Sequence, residues 1–144
     1  MSSIPATILQ LRDVAPFSSC SDTELIFIGN RTYDLSARPG DTLARHGSDG
    51  REWVLIVSGT ASVTIDGVIV ARLGPGESVG EMALIDRGVR TATVLAETEI
   101  TAVVASRSEF EQILHEVPAV MFWLLATVVR RLRAANDLLW TAPE

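Results

Sequence analysis

The residue types best suited to binding chemistry lie together in residues 80–94, whose sequence is GEMALIDRGVRTATV. A glycine and an acidic residue open a short apolar helical turn, and free N–H groups at a helix start favour an anion such as phosphate. Arg90 then adds a planar guanidinium that grips two phosphate oxygens at once. Glu81 repels phosphate and needs another partner, such as a sugar hydroxyl. The stretch therefore predicts a site for a phosphorylated ribose.

The same stretch closely resembles the phosphate-binding cassette of cyclic nucleotide-binding domains in residue type and in spacing. Such domains occur in catabolite-activator-type bacterial regulators, cyclic-nucleotide-dependent protein kinases and gated channels. The resemblance implies that Glu81 takes the ribose 2′-OH, that Arg90 takes the cyclic phosphate, and that amides after Gly80 bind the remaining oxygens. The ligand-binding residues that it implies in the cassette are Gly80, Glu81, Met82, Ala83, Arg90, Thr91 and Ala92.

The nucleotide predicted from this resemblance is cyclic AMP, with cyclic GMP as the alternative and no other cofactor. A hydroxyl after the phosphate arginine, here Thr91, resembles domains that hold guanine, but bacterial cyclic-AMP receptors also carry a hydroxyl there. The resemblance further implies a polar base contact at Asn136, whose amide both donates and accepts. Its neighbour Ala135 lacks the hydroxyl often found at that place. Trp140 is predicted to pack, with stacking on the base as the alternative.

Composition and charge set the class of molecule. The chain has 144 residues, of which 47% are hydrophobic, and this predicts one domain with its own core. A formal net charge of −6 disfavours nucleic acid and anionic lipid surfaces, so any nucleotide pocket must be locally positive. The single cysteine, Cys20, excludes an internal disulfide and multi-cysteine metal sites. No charged and apolar leader opens the chain, so we expect a cytoplasmic protein.

The first thirty residues are predicted to form helices that flank the rest of the chain. Apolar residues recur at helical spacing from Ile8 to Ala15 before Pro16 interrupts. Ser21 and Glu24 then form a capping box, which opens a second short helix.

Short β-strands are predicted from residue 31 to residue 106. Nine of the ten glycines fall between Gly40 and Gly88 and separate segments rich in Val, Ile and Thr, and Asp66-Gly67 predicts a hairpin. Many short strands are typical of a sandwich or barrel. The resemblance selects a jelly-roll-like β-roll, a double-stranded β-helix with N-terminal helices and a long C-terminal helix. The predicted strands are 31–36, 42–45, 53–58, 60–65, 68–73, 91–96 and 100–105.

Two helices are predicted to close the chain. Ser106 and Glu109 form another capping box, and Pro118 separates this helix from a longer one without charge over residues 117–129. That run is too short for a bilayer, which needs about 20 residues, so no membrane span is predicted. Apolar residues spaced by three and four favour a homodimer through this helix, with packing on its own roll as the alternative. They are Met121, Leu124, Leu125, Val128, Leu132, Ala135 and Leu139.

These segments together predict a single domain over residues 1–144. Its N-terminal helices occupy residues 1–30, the roll with its cassette occupies 31–106, and the C-terminal helices occupy 107–140.

Signatures of catalysis are missing from the sequence. His46 and His115 are far apart and are predicted to be solvated. A metal-binding histidine pair on a helix, a nucleophile elbow and a Walker loop are all absent, and no histidine cluster suits a metal. The sequence therefore predicts a binding module without catalytic or metal residues, and not an enzyme.

The predicted function is a sensor that binds a cyclic nucleotide and couples occupancy to movement of its flanking helices, regulating a partner or fused effector. Alternatives are an interaction scaffold with an empty pocket, the detached sensory part of a transcription regulator, and a module cut from a larger enzyme or channel. No helix-turn-helix follows the long helix, so direct nucleic-acid binding is not expected.

Overall fold

The computed structural model describes residues 3–44, 52–80 and 92–140. Within these ranges the chain forms eight strands and four α-helices, with a 3₁₀ turn at Phe17–Ser19. The strands are β1 Tyr33–Ala37, β2 Thr42–Ala44, β3 Glu52–Ser58, β4 Ala61–Ile65, β5 Val68–Leu73, β6 Ser78–Val79, β7 Thr93–Ala96 and β8 Ile100–Ser106. The helices are α1 Ala6–Leu9, α2 Asp22–Gly29, α3 Arg107–Glu116 and α4 Pro118–Trp140.

Two four-stranded antiparallel sheets build the body of the fold. The first sheet has the strand order β1-β8-β3-β6, and the second has the order β2-β7-β4-β5. Helices precede and follow the strands, and α4 is the longest of those described. This arrangement confirms the predicted β-roll with N-terminal helices and a long C-terminal helix.

The two middle strands of the first sheet, β8 and β3, are buried on both faces, and β3 shows this most clearly. Trp53, Leu55 and Val57 join a cluster with the helices, while Val54 and Ile56 join a cluster inside the roll. Successive side chains of a strand point to opposite faces, so one strand serves both clusters.

We call the cluster between the first sheet and the helices the helix-side core. It consists of Ile8, Leu11, Phe17, Leu25, Ile28, Trp53, Leu55, Val57, Val103, Ala105, Phe110, Ile113, Leu114, Val117, Val120 and Leu124.

We call the cluster inside the roll the roll core. It consists of Ala37, Val54, Ile56, Ala61, Leu73, Val79, Val94, Ala96, Ile100, Ala102 and Val104.

Both capping boxes and the hairpin turn form as predicted. Ser21 caps α2, where its Oγ accepts from the Glu24 amide at 3.2 Å and the Glu24 carboxylate accepts from the Ser21 amide at 2.9 Å. Ser106 makes the same reciprocal pair with Glu109 at the start of α3. Asp66 and Gly67 both have positive φ, 52° and 79°, as a tight hairpin between twisted strands requires.

The N-terminal segment is less helical than predicted. The helix α1 ends at Leu9, and tight turns follow, in which the Leu11 amide donates to Ile8 O at 3.0 Å and the Val14 amide donates to Leu11 O at 2.9 Å. Ile8 and Leu11 are nevertheless fully buried. Their spacing therefore reported a buried face correctly, although the backbone that presents it is mostly turn.

The first strand begins later than predicted because Arg31 belongs to the turn that follows α2. Its amide donates to Ile28 O at 3.0 Å, and its guanidinium lies 3.4 Å from the centroid of the Phe27 ring. The two-residue strand β6 was not predicted, and β7 begins at Thr93 where the prediction began at residue 91.

Among the described residues, no single helix is both long and apolar enough to cross a membrane. The helix α3 and residues 118–134 of α4 would satisfy that test only as a pair, and the two are bent by 108° relative to each other.

Candidate functional site

The structure places the two ends of the predicted cassette on different sheets. Gly80 directly follows β6 of the first sheet, and Ala92 directly precedes β7 of the second. Gly80 has a φ of 95°, in the region that favours glycine, so the chain turns sharply as it leaves β6. The cassette therefore begins on one sheet and ends on the other. The predicted residues Glu81, Met82, Ala83, Arg90 and Thr91 lie outside the described residues.

The strand that enters the cassette is held by the turn before it. In that turn the Gly74 amide donates to the Glu77 carboxylate at 3.0 Å. The turn also binds β3, because the Ile56 amide donates to Glu77 O at 2.9 Å and the Gly76 amide donates to Ile56 O at 2.8 Å. A side chain at Gly76 would lie 2.5 Å from Val14 Cγ1. The N-terminal segment thus packs directly against the approach to the cassette.

The strand that leaves the cassette is fixed in the middle of the second sheet. Thr93 pairs with Thr64, and the Thr64 hydroxyl donates to Thr93 O at 3.3 Å. Val94 is buried opposite Val63. Ala92 is the last of the predicted binding residues. It directly precedes a paired strand, which fixes its position.

Sequence reasoning missed an apolar wall beside the cassette. Ala61, Val63 and Ile65 alternate along β4, and the first two contact the roll core. Ile65 pairs with Val68, and both side chains are exposed. The side chains of the second sheet that face the inside of the roll form its inner row. Beyond the roll core this row continues as exposed apolar surface, at the end of the roll where Gly80 and Ala92 lie. The alternation was visible in the sequence, but its direction required the sheet register.

A separate depression of about 330 Å³ lies at the opposite end of the roll. Thr101 in its lining pairs with Ser58, at the far end of β3 from the cassette. Asp41 accepts a 2.8 Å hydrogen bond from the Arg38 amide, so this carboxylate stabilises the local turn. The depression is lined by Ser36, Ala37, Arg38, Asp41, Glu99, Ile100 and Thr101. It is therefore distinct from the cassette.

The structure does not bring Asn136 to the roll. Its side chain is exposed on α4, whereas Val120 and Leu124 are the residues of that helix that enter the helix-side core. At 3.6 residues per turn, Asn136 lies roughly 120° or more around the helix from both. The base contact implied for Asn136 therefore stays a prediction, and the side chain of Trp140 lies outside the described residues.

Among the titratable groups of residues 3–44, 52–80 and 92–140, Cys20 and Tyr33 have raised pKa values, and neither belongs to the cassette. The Tyr33 hydroxyl donates to the Glu52 carboxylate, and this hydrogen bond, followed by burial and nearby acidic charge, raises the pKa of Tyr33 to about 12. Burial, followed by the charge of Glu24, raises the pKa of the Cys20 thiol to about 11. A thiol with so high a pKa is a poor nucleophile at neutral pH.

Both histidines were predicted to be solvated. His115 is exposed on α3, as predicted, and His46 lies outside the described residues. In residues 3–44, 52–80 and 92–140, no group of three His, Cys, Asp or Glu side chains is arranged to hold a metal ion.

Comparison with known proteins gives the same family that the cassette resembles. The family model for the cyclic nucleotide-binding domain matches residues 34–117. The Pycsar effector protein XpPycTIR of Xanthomonas perforans is 31% identical over 140 residues, covering 96% of this chain and 45% of the relative. The acetyltransferase Pat of Mycolicibacterium smegmatis is 36% identical over 123 residues, covering 83% of this chain and 36% of the relative.

A solved structure agrees as well. The catabolite activator protein of Thermus thermophilus superposes with a TM-score of 0.74 at 27% identity, covering 90% of this chain and 61% of that one. The present chain spans less than half the length of the two curated relatives. The matched family is the one that residues 80–94 resemble, so the resemblance is confirmed.

Proposed function

The chain belongs to the cyclic nucleotide-binding domain family, and on that premise we propose that it is a sensor module for cyclic AMP, with cyclic GMP as the second candidate ligand. The observation that carries this proposal is the position of the cassette, whose ends, Gly80 and Ala92, lie on the two different sheets of the roll. We therefore expect a ligand bound at the cassette to affect the positions of both sheets.

The proposed contacts follow the chemistry of the cassette. Arg90 neutralises the cyclic phosphate, and amides from Gly80 through Met82 and Ala83 bind its remaining oxygens. Glu81 accepts from the ribose 2′-OH. Thr91 and Ala92 complete the wall at the phosphate.

The base needs an apolar surface, and the second sheet offers one. Val63, Ile65 and Val68 continue its inner row at the cassette end of the roll. Exposed apolar side chains of this kind suit a purine ring, which buries a flat apolar area when it binds.

The proposed coupling runs from the cassette to the helices through packed contacts. The turn before β6 contacts Val14 of the N-terminal segment, and β3 carries Trp53 into the helix-side core. Ligand shifts the helices only if it binds one arrangement more tightly than the other. Because the relatives are longer and include an effector and an acetyltransferase, we assign the output to a partner or fused effector and no catalysis to this module.

The proposal includes a homodimer through α4 and no direct binding of nucleic acid. The net charge of −6 opposes a phosphate backbone, and α4 carries exposed apolar side chains at Phe122, Leu125 and Leu132.

Arg90→Ala tests the central contact. Removal of the guanidinium leaves the phosphate charge uncompensated. We therefore expect the free energy of cyclic AMP binding to become less favourable by about 2 to 5 kcal/mol, as for other buried charge pairs. Calorimetric titration of wild type and variant with both nucleotides measures the loss. Arg87→Ala is the matched control, because it removes the same charge three residues earlier in the chain.

Equal affinity of wild type and Arg90→Ala would remove the assignment of the phosphate contact. If neither nucleotide binds wild type or shifts its melting temperature at millimolar concentration, the scaffold alternative replaces the sensor.

A further inference from the structure

The depression of about 330 Å³ at the end of the roll opposite the cassette lies between two connections that join the sheets. The first connection, residues 38–41, leads from β1 of the first sheet to β2 of the second. The second connection, residues 97–99, leads back from β7 to β8. Asp41 and Glu99 line the depression, one from each connection. A molecule bound there would therefore contact both links between the sheets.

Hydrogen bonds hold the backbone of the first connection in place. The Asp41 amide donates to Arg38 O at 3.0 Å, and the Arg38 amide donates to Asp41 Oδ2 at 2.8 Å, which closes the turn. Gly40, with a φ of 92°, donates from its amide to Ala96 O at 2.8 Å. The Ala96 amide in turn donates to Asp41 O at 2.8 Å. The turn is thus fixed to β7, and the depression has the preformed shape that ligand sites usually have.

The floor of the depression is apolar, and hydroxyl groups lie beside it. Ala37 and Ile100 pair across β1 and β8, and their exposed fractions are 6% and 2%. Ser36 and Thr101 form the next pair in the same register, and both line the depression. An apolar floor with a small number of polar groups is the usual composition of a site for a small molecule.

The charges around the depression select the class of ligand. Arg38 brings one positive charge, and Asp41 and Glu99 bring two negative charges. Within residues 3–44, 52–80 and 92–140, no salt bridge joins Arg38 to either carboxylate. The two carboxylates repel a second cyclic nucleotide, whose one charge is negative, and the guanidinium repels a simple cation. A zwitterion satisfies both signs, because its anionic group can pair with the guanidinium while its ammonium group pairs with a carboxylate.

The volume of the depression limits the ligand to a small metabolite. Pockets for small molecules measure about 300 to 1,000 Å³, and this depression lies near the lower end of that range. A free α-amino acid is a zwitterion of suitable size, with its ammonium and carboxylate groups on one carbon atom. We propose that the depression binds a free α-amino acid, with the carboxylate on Arg38 and the ammonium group on Glu99. Asp41 is the less suitable partner because it already accepts the Arg38 amide.

The position of this site connects it with the cassette. Both the depression and the cassette join the two sheets, at opposite ends of the roll. We expect a ligand that fixes the sheets at one end to change the affinity at the other, and linkage requires the two effects to be equal. This coupling rests on the proposed function, whereas the amino-acid site itself does not.

NMR titration of the isotope-labelled 144-residue chain tests the site directly, in the absence of nucleotide. Each common free L-amino acid is added separately, up to about 10 mM. Acetate and methylammonium serve as probes that carry only one of the two charges. We expect at least one amino acid to shift the amide signals of Gly40 and Thr101 with a Kd of about 1 mM. Acetate and methylammonium should bind at least about tenfold more weakly, because each leaves one charged side chain without a partner.

Charge-removing variants test the two proposed contacts. Arg38→Gln and Glu99→Gln should each weaken amino-acid binding at least about tenfold, because each removes a hydrogen bond between charged groups. Both side chains are exposed, so we expect both variants to fold. Arg133→Gln on α4 and Glu116→Gln on α3 are the matched controls, since they remove the same charges at exposed positions outside the depression. Their affinity for the amino acid should equal that of wild type.

Three results would overturn the inference. If no amino acid shifts signals around the depression at about 10 mM, the site is removed. If the two charge-removing variants bind as tightly as wild type, the charges do not hold the ligand. If acetate binds as tightly as the amino acid, the depression is a site for an anion and not for a zwitterion.

Calorimetric titration with cyclic AMP, with and without the bound amino acid, measures the coupling separately. Equal cyclic AMP affinities would remove the coupling and leave both sites standing. Because the NMR titration contains no nucleotide, failure of the amino-acid site leaves the sensor proposal intact, and failure of cyclic AMP to bind leaves the amino-acid site intact.

Discussion

The two faces of the first sheet pack against very different neighbours. The helix-side core is filled by large side chains, with Trp53, Phe17 and Phe110 fully buried among leucines and isoleucines. In the described residues, the roll core contains only Ala, Val, Ile and Leu. Large side chains that interlock contribute most to the stability of the fold. The small side chains of the roll core let the two sheets pack closely and leave the open end of the roll unfilled. One sheet thus separates a stabilising layer from a layer suited to a ligand.

Trp53 is the centre of the stabilising layer. Its ring stacks on Phe110 with centroids 4.7 Å apart and meets the edge of Trp123 at 6.4 Å. It therefore joins β3 to both α3 and α4. Its indole N–H is buried and has no hydrogen-bond partner among the described residues, so packing and not polar pairing holds it in place.

Removing Trp53 should give the largest change. We expect Trp53→Ala to lower the free energy of unfolding by about 3 to 5 kcal/mol, because it opens a cavity between the sheet and two helices. Ile56→Val, a smaller deletion on the opposite face of the same strand, should cost about 0.5 to 1.5 kcal/mol. Urea unfolding followed by circular dichroism measures both. A loss of similar size for the two variants would contradict the division between layers.

The alanines of β8 allow a closer test of that division. Ala102 faces the roll core and Ala105 faces the helix-side core, and both are fully buried. Either alanine-to-leucine change should destabilise the fold by about 1 to 3 kcal/mol through overpacking. Only Ala102→Leu should also weaken cyclic AMP binding, because it separates the two sheets that hold the two ends of the cassette.

Unfolding curves and calorimetric titrations of both variants measure the two effects. Equal affinity for cyclic AMP in Ala102→Leu and Ala105→Leu would show that the ligand is insensitive to the spacing of the sheets.

Features governed by near neighbours in the chain were predictable from sequence. The capping boxes at Ser21 and Ser106 and the turn at Asp66-Gly67 depend on residues within three positions, and all formed as predicted. The strand β6 was missed because its two residues owe their conformation to pairing with β3, more than twenty positions earlier.

Where a strand is buried on both faces, its sequence does not indicate which side chains face which core. The run from Trp53 to Val57 is continuously apolar, so no alternation indicates which residues face the helices and which face the roll. The apolar row predicted on α4 has a similar ambiguity, because the side covered by the roll decides which members are buried, and Leu124 is buried whereas Leu125 is exposed. The ligand contacts from Glu81 to Thr91 rest on motif and spacing alone, and they stay predictions.

The smallest effect that we expect is at the junction of the two layers. Ser106 ends β8 and caps α3, where its Oγ accepts from the Glu109 amide at 3.2 Å, whereas Ser21 makes the equivalent cap for α2 at 3.2 Å. Ser106→Ala and Ser21→Ala should each cost about 1 kcal/mol of stability. Ser106→Ala should also reduce the stabilisation of the fold by cyclic AMP, because the helix it caps receives its position from a strand of the roll. Melting curves with and without nucleotide separate the two losses, and an equal ligand-induced shift in both variants would place the coupling elsewhere than at the start of α3.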